Sequence, residues 1–235
     1  MNPIFDNGLN SELDGLDGRA KKKAVNYAKR RVRKTLGLKS ATRAEAILAL
    51  NKEKFSANTK SNFASLQTQS AVHYLRSKIT GNQNPLLNDA TDKIEGITDI
   101  SKQKLPAGRN FLMTRMEVGF ANNGATDIGA KAAAYNPLSF DGGNTTGPAK
   151  AAAAIINGEL EMIVDSQVLM KIPAKSFNEC PKQGGGSANG YNFEVPILIP
   201  EEKTIQLVFH SANDVAMPAG YNYLEVVMKG VETKL

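Results

Sequence analysis

The sequence predicts an α+β protein in which a basic, helical N-terminal arm precedes an antiparallel β-sandwich. Ten Lys and Arg residues lie between Arg19 and Lys39 with no acid among them, which makes the first part of the chain strongly basic. Near Leu105 the spacing of apolar residues changes from the helical period of about 3.6 to the strand period of about 2. We therefore expect a helical arm and connector over residues 1–100 and a sandwich over residues 101–235.

The region before residue 100 contains signals for three helices. The first, over residues 11–36, begins at the N-cap candidate Ser11 and carries acids in its first turns, where the helix dipole favours them. The second helix spans residues 42–55 and begins with a capping box. The third spans about residues 59–80. Their apolar stripes are narrow, so we expect these helices to need a partner surface.

From residue 105 onward, the pattern is that of short strands separated by turns. The clearest strand covers residues 109–120, and Pro196 places its own strand at an edge or a bulge. Roughly eight short strands in about 130 residues predict a sandwich or single jelly roll rather than a parallel α/β sheet. The other predicted strands are 159–164 and 167–172, joined by Asp165 and Ser166, then 193–199, 204–210 and 221–231, with weaker candidates at 128–135 and 151–157.

The composition restricts the compartment in which the chain works. Cys180 is the only cysteine, so no internal disulfide can form and no oxidising compartment is required. The first ten residues lack the basic and apolar segments of a secretory signal. No apolar run approaches the roughly 18–20 residues of a membrane span. We expect a protein that is not secreted and has no transmembrane span.

The sequence contains few candidates for catalytic or metal-binding residues. The two histidines are His73 and His210, and Ser211 and Asp214 lie close to His210 in the sequence. No Ser sits in the Gly-x-Ser-x-Gly pattern of a nucleophile elbow, and one Cys with two distant His does not make a zinc site. We therefore expect no catalytic residue, no metal, no cofactor and no small-molecule substrate.

The basic arm is the one segment whose chemistry points to a ligand. Residues 1–80 carry a net charge of +10 and the remaining residues a net charge of −4. Such a distribution favours a polyanion, either nucleic acid or an anionic membrane surface, bound without sequence preference. The competing interpretation is a solvated helix face that binds nothing. The predicted polyanion-binding residues are Arg19, Lys21, Lys22, Lys23, Lys29, Arg30, Arg31, Arg33 and Lys34.

The combination of arm and sandwich resembles the jelly-roll capsid proteins of icosahedral bacteriophages, including tailless, lipid-containing ones. Three segments carry the resemblance: KLPAGRNFLMTRMEVGF at 104–120, GELEMIVDSQVLMKIP at 158–173 and FEVPILIPEEKTIQLVF at 193–209. It is a likeness of pattern over about residues 104–235. One departure is that this arm is long and patterned for helices, whereas many jelly-roll arms are disordered and rich in arginine.

The resemblance implies a virion structural protein that is not an enzyme. It would be assembled in the host cytoplasm with copies of itself and other capsid proteins, and its arms would face inward toward packaged genome or an internal membrane. Alternatives from other classes remain. One is an oligomeric, sequence-independent nucleic-acid-binding protein, and another is a phage tail or head-decoration protein. The last is a carbohydrate-binding β-sandwich or an unrecognised hydrolase.

Overall fold

The computed structural model describes residues 47–48, 51–62, 65–87, 92–138, 153–178 and 190–234. These residues form two antiparallel β-sheets around a shared apolar core, which confirms the predicted β-sandwich. The first predicted helix, over residues 11–36, lies outside the described residues, as does half of the second. In the described half of the second, residues 47–48 are helical and Lys52–Lys54 form a 3-10 turn.

The described residues contain nine strands and three short α-helices. The strands are β1 (Gln67–Ile79), β2 (Gln83–Pro85), β3 (Phe111–Asn122), β4 (Asn136–Pro137), β5 (Glu159–Val164), β6 (Gln167–Pro173), β7 (Tyr191–Ile199), β8 (Ile205–His210) and β9 (Asn222–Lys234). The helices are α1 (Ala57–Ser61), α2 (Gly129–Ala132) and α3 (Ala153–Ile156), and 3-10 turns cover Lys52–Lys54 and Ala174–Asn178.

Each sheet has its own strand order. In sheet A, β9 lies between β1 and β3, and the other edge of β3 pairs with both β7 and the two-residue β4. Sheet B has the order β2-β8-β5-β6. Pairings between the named strands are antiparallel, and β1 pairs with β9 over all of its length.

A bulge in β3 changes which of its residues face the core. The register between β3 and β9 shifts between Met113 and Arg115. Because one extra residue reverses the alternation of side chains, Phe111 and Met113 share the face of Met116, and Leu112 turns to the opposite face. All four are buried, so β3 is covered on both faces at this end. A strict period of two would place Leu112 on the face of Met116.

The predicted third helix is wrong. Residues 67–79 form β1, and only the short α1 lies in the first part of the predicted span. The buried positions of β1 include Leu75 and Ile79 but also the polar His73. The polar histidine interrupts the alternation of apolar residues that marks a strand in the sequence. Pairing with β9 decides the conformation. Strand β1 belongs to sheet A and β2 to sheet B, so each sheet contains a strand from before residue 101.

The two weak strand predictions, at 128–135 and 151–157, are also wrong. The structure has α2 in the first segment and α3 in the second. Both segments are rich in alanine, the residue with the highest helix propensity, so local preference favours a turn of helix.

Candidate functional site

The predicted polyanion-binding residues, between Arg19 and Lys34, all lie outside the described residues. What the structure describes is the segment that joins the arm to the sandwich. We call residues 47–62 the junction segment, of which 47–48 and 51–62 are described. Ile47, Leu48 and Phe55 are buried and belong to the main core cluster. The chain downstream of the arm is therefore packed against the sandwich.

The junction segment meets one end of the sandwich, which we call the junction end. Strands β1 and β3 begin there, and β7 and β9 end there, since Gln67 pairs with Lys234 and Phe111 pairs with both Glu232 and Ile199. The short connection from β7 to β8 brings sheet B to the same end.

Glu201, in that connection, holds the junction segment to the sandwich. One carboxylate oxygen accepts hydrogen bonds from the Ser56 amide at 3.0 Å and from Asn110 Nδ2 at 3.3 Å. The other accepts from Thr59 Oγ1 at 3.0 Å and from the Gly108 amide. Glu201 is only 3 % exposed, so two separate segments, the junction segment and residues 108–110, donate to one buried carboxylate. Ser56 also caps α1 by accepting from the Thr59 amide.

These hydrogen bonds favour the ionised form of the Glu201 carboxyl. Burial alone would raise its pKa, but the donors from Gly108, Thr59, Ser56 and Asn110 stabilise the charged form and lower the pKa below its usual 4.5. Glu201 is therefore an anionic anchor for the segment that carries the basic arm.

A second ionic cluster lies beside this anchor. Thr233 Oγ1 accepts from the Asn110 amide at 2.8 Å and donates to the Gly108 carbonyl at 3.0 Å, which connects the end of β9 to the Glu201 contacts. The neighbouring Glu232 is 1 % exposed and forms an ion pair with Arg109 at 3.3 Å.

His73 connects this cluster to β1. Its Nδ1 lies 2.6 Å from Asp99 Oδ2, and its Nε2 lies 3.5 Å from Glu232 Oε1, an ion-pair distance rather than a well-formed hydrogen bond. The ring also contacts Phe111 edge-on at 4.7 Å. Burial works to lower the pKa of His73, but Asp99 and Glu232 outweigh it and raise the pKa to about 9.

The charge on His73 predicts a pH dependence at alkaline pH. Because its folded-state pKa is raised from 6.5 to about 9, its stabilising effect is complete below pH 6.5 and is lost as the pH rises through about 9. We expect His73→Gln to reduce the fall in melting temperature between pH 7 and pH 10. An unchanged pH profile in this variant would contradict the assignment.

The other histidine, His210, does not form a triad with Ser211 and Asp214. Its Nε2 lies 2.8 Å from Glu161 Oε2, and the Ser211 hydroxyl donates instead to the Gly81 carbonyl at 2.9 Å. His210 and Ser211 line an open polar cleft of about 440 Å³ at the end of the sandwich opposite the junction end. His210 and Ser211 thus make separate contacts with other residues.

No protein-family model matches the chain, and a search of curated proteins gave no match. Among the described residues, no helix combines the length and apolar content needed to cross a membrane. In that part of the chain, no group of three or more His, Cys, Asp or Glu side chains is placed to hold a metal ion.

Proposed function

We propose that this chain is a virion structural protein that assembles into or onto an icosahedral capsid shell. The sandwiches would form the shell with copies of the same chain and with other capsid proteins. The basic arms would face inward and neutralise the phosphates of packaged genome or contact an internal membrane. The proposal includes no catalytic activity.

The observation that carries the proposal is a nested pairing of strands. Among the described strands, and leaving out the two-residue β4, the first pairs with the last, the second with the next to last, and so on to the central hairpin of β5 and β6. This is the connectivity of a long hairpin wound into two four-stranded sheets. It supports the jelly-roll assignment, and jelly rolls occur in viral capsids, lectins and cupins.

Of the viral capsid proteins, lectins and cupins that share the jelly roll, the filled interior of this sandwich favours the structural role of a capsid protein. Inward-facing residues of both sheets, including Met116, Met162 and Phe209, are fully buried within one apolar cluster. The space between the described parts of the two sheets is thus filled by side chains, as in a domain whose faces and ends make the contacts. The anchored junction segment supports the same role because it gives the basic arm a fixed point of attachment to the sandwich.

Electron microscopy of the purified, full-length chain tests this proposal. We expect closed shells or extended sheets, formed either alone or with nucleic acid. Filaments coating DNA would indicate an oligomeric nucleic-acid-binding protein instead. A discrete small oligomer under all conditions would favour a tail or decoration protein. Either of the last two results would contradict the capsid proposal.

The arm can be tested by the salt dependence of DNA binding. If it contacts about five phosphates, log affinity should fall against log salt concentration with a slope near −4.5, at about −0.9 per contact. Replacing Lys29, Arg30 and Arg31 by Gln should reduce the magnitude of that slope by about 2–3. The melting temperature should not change, because the substitutions lie upstream of the sandwich.

Two results would change this interpretation of the arm. A salt-independent interaction, or full DNA binding after the triple substitution, would mean that the cations form only a solvated face. Binding to anionic vesicles without binding to DNA would make a membrane the partner of the arm while leaving the shell role intact.

A further inference from the structure

Three exposed lysines at the junction end have no carboxylate partner within the described part of the chain. They are Lys102, Lys104 and Lys234. Other cations at this end are paired: Lys60 with Glu53, Arg109 with Glu232, and Lys203 with Asp165. The three lysines therefore leave positive charge facing solvent where the basic arm joins the sandwich.

Backbone contacts place these lysines at the junction end. Lys234 ends β9 and pairs with Gln67, the first residue of β1. Lys102 and Lys104 lie in the segment before β3, which is joined to the connection between β7 and β8. The Leu105 carbonyl accepts from the Glu202 amide at 2.9 Å, and the Gln103 carbonyl accepts from the Ile205 amide at 2.7 Å.

The turn that carries two of the lysines is strained. Lys102 and Gln103 have φ angles of 48° and 59°, and the turn is closed by the Lys104 amide donating to the Ser101 carbonyl at 3.0 Å. Turns with two left-handed residues favour Asn and Gly, so Lys and Gln are unfavourable choices for the turn alone. Strain of this kind is often retained where a side chain has a function.

We propose that Lys102, Lys104 and Lys234 extend the polyanion-binding surface of the arm onto the sandwich, and that their ligand is the phosphate backbone of nucleic acid. This inference rests on the polyanion-binding role proposed for the arm. Since Glu201 fixes the junction segment at this end, the described chain that follows the arm joins the sandwich at the end that carries these lysines. Unpaired, exposed lysines contact phosphates as mobile point charges and read no sequence.

The surroundings of the lysines favour nucleic acid over a membrane. Binding at a lipid interface requires apolar side chains beside the cations. The neighbours of Lys102 and Lys104 in the chain are the polar Ser101 and Gln103 and the apolar Leu105, and Leu105 is only 3 % exposed. The turn of residues 101–105 therefore presents charge with no exposed apolar side chain of its own.

The test is the salt dependence of duplex DNA binding by the full chain with its arm intact. The variant replaces Lys102, Lys104 and Lys234 by Gln. The matched control replaces Lys131, Lys171 and Lys175 by Gln, which removes the same charge at the opposite end of the sandwich. If each junction-end lysine neutralises one phosphate, the slope should fall in magnitude by about 2–3, at about 0.9 per contact. The control should keep the wild-type slope.

Three results would overturn the proposal. One is an unchanged slope in the junction-end variant, and another is an equal reduction in both variants, which would reflect net charge alone. The third is loss of binding to phosphatidylserine vesicles in the junction-end variant without any effect on DNA binding. Failure of the arm itself is recognised separately, since the Lys29, Arg30 and Arg31 variant would then bind DNA like the wild type.

Discussion

Replacing Glu201 by Gln is expected to lower the free energy of unfolding at pH 7 by about 3 kcal/mol, the value of one or two hydrogen bonds to a charged group. Glutamine has one acceptor oxygen and brings an amide donor toward four existing donors. At least two of the groups from Ser56, Thr59, Gly108 and Asn110 would then lose the Glu201 oxygen as an acceptor in a buried site. Chemical denaturation of the two proteins measures the difference.

The pH dependence of this variant gives a second measurement. The pKa of Glu201 is lowered in the folded state, so its stabilising effect is present above the usual carboxyl pKa of 4.5 and is lost as the pH falls through the folded-state value. The difference between wild type and Glu201→Gln should therefore decrease below pH 4.5. Glu202→Gln, at the adjacent exposed position, is the matched control and should match the wild type throughout. Equal effects of the two substitutions would contradict the anchoring role.

Gly230→Ala is expected to destabilise the sandwich by at least about 3 kcal/mol or to prevent folding, which exceeds the usual cost of overpacking. Gly230 lies in β9 between Ala71 of β1 and the bulge of β3. A β-carbon there would lie 2.1 Å from the Leu112 carbonyl oxygen and 2.9 Å from the Phe111 ring. Both neighbours are fully buried, and the carbonyl belongs to a central strand, so neither can move freely.

Gly81→Ala is the control for this substitution. A β-carbon at Gly81 meets nothing within 4 Å, so we expect a change within about 0.5 kcal/mol. Thermal melting followed by circular dichroism compares the two variants. A Gly230→Ala protein as stable as Gly81→Ala would mean that β3 does not approach β9 as closely as described.

The part of the fold that could be predicted was encoded in adjacent residues. The hairpin of β5 and β6 is one case. Its alternating apolar residues gave the strands, and Asp165 and Ser166, with φ angles of 51° and 68°, form the predicted turn. The predicted edge or bulge position of Pro196 is confirmed as well, because β7 pairs with β3 alone and its register shifts beside Pro196.

Features that depend on distant residues could not be predicted. His73 is tolerated inside a strand because Asp99 and Glu232, far along the chain, balance its charge. Glu201 and Glu202 are identical neighbours, and only the folded chain distinguishes the buried anchor from the exposed residue. The candidate site was predicted from charge density alone, which points to the arm and gives no signal for its anchor at Glu201. The nine arm residues stay a prediction, since they lie outside the described residues.

The central position of β9 has a consequence for the order in which the protein can be made. Residues 222–234 fill the place between β1 and β3, although β1 is synthesised near the start of the described chain. Until β9 leaves the ribosome, two long strands have facing edges with no partner, and such edges readily pair with other chains. Contacts of such wide sequence separation also slow folding. Sheet A can therefore close only after residues 222–234 have been translated, which delays any association that requires a finished sheet.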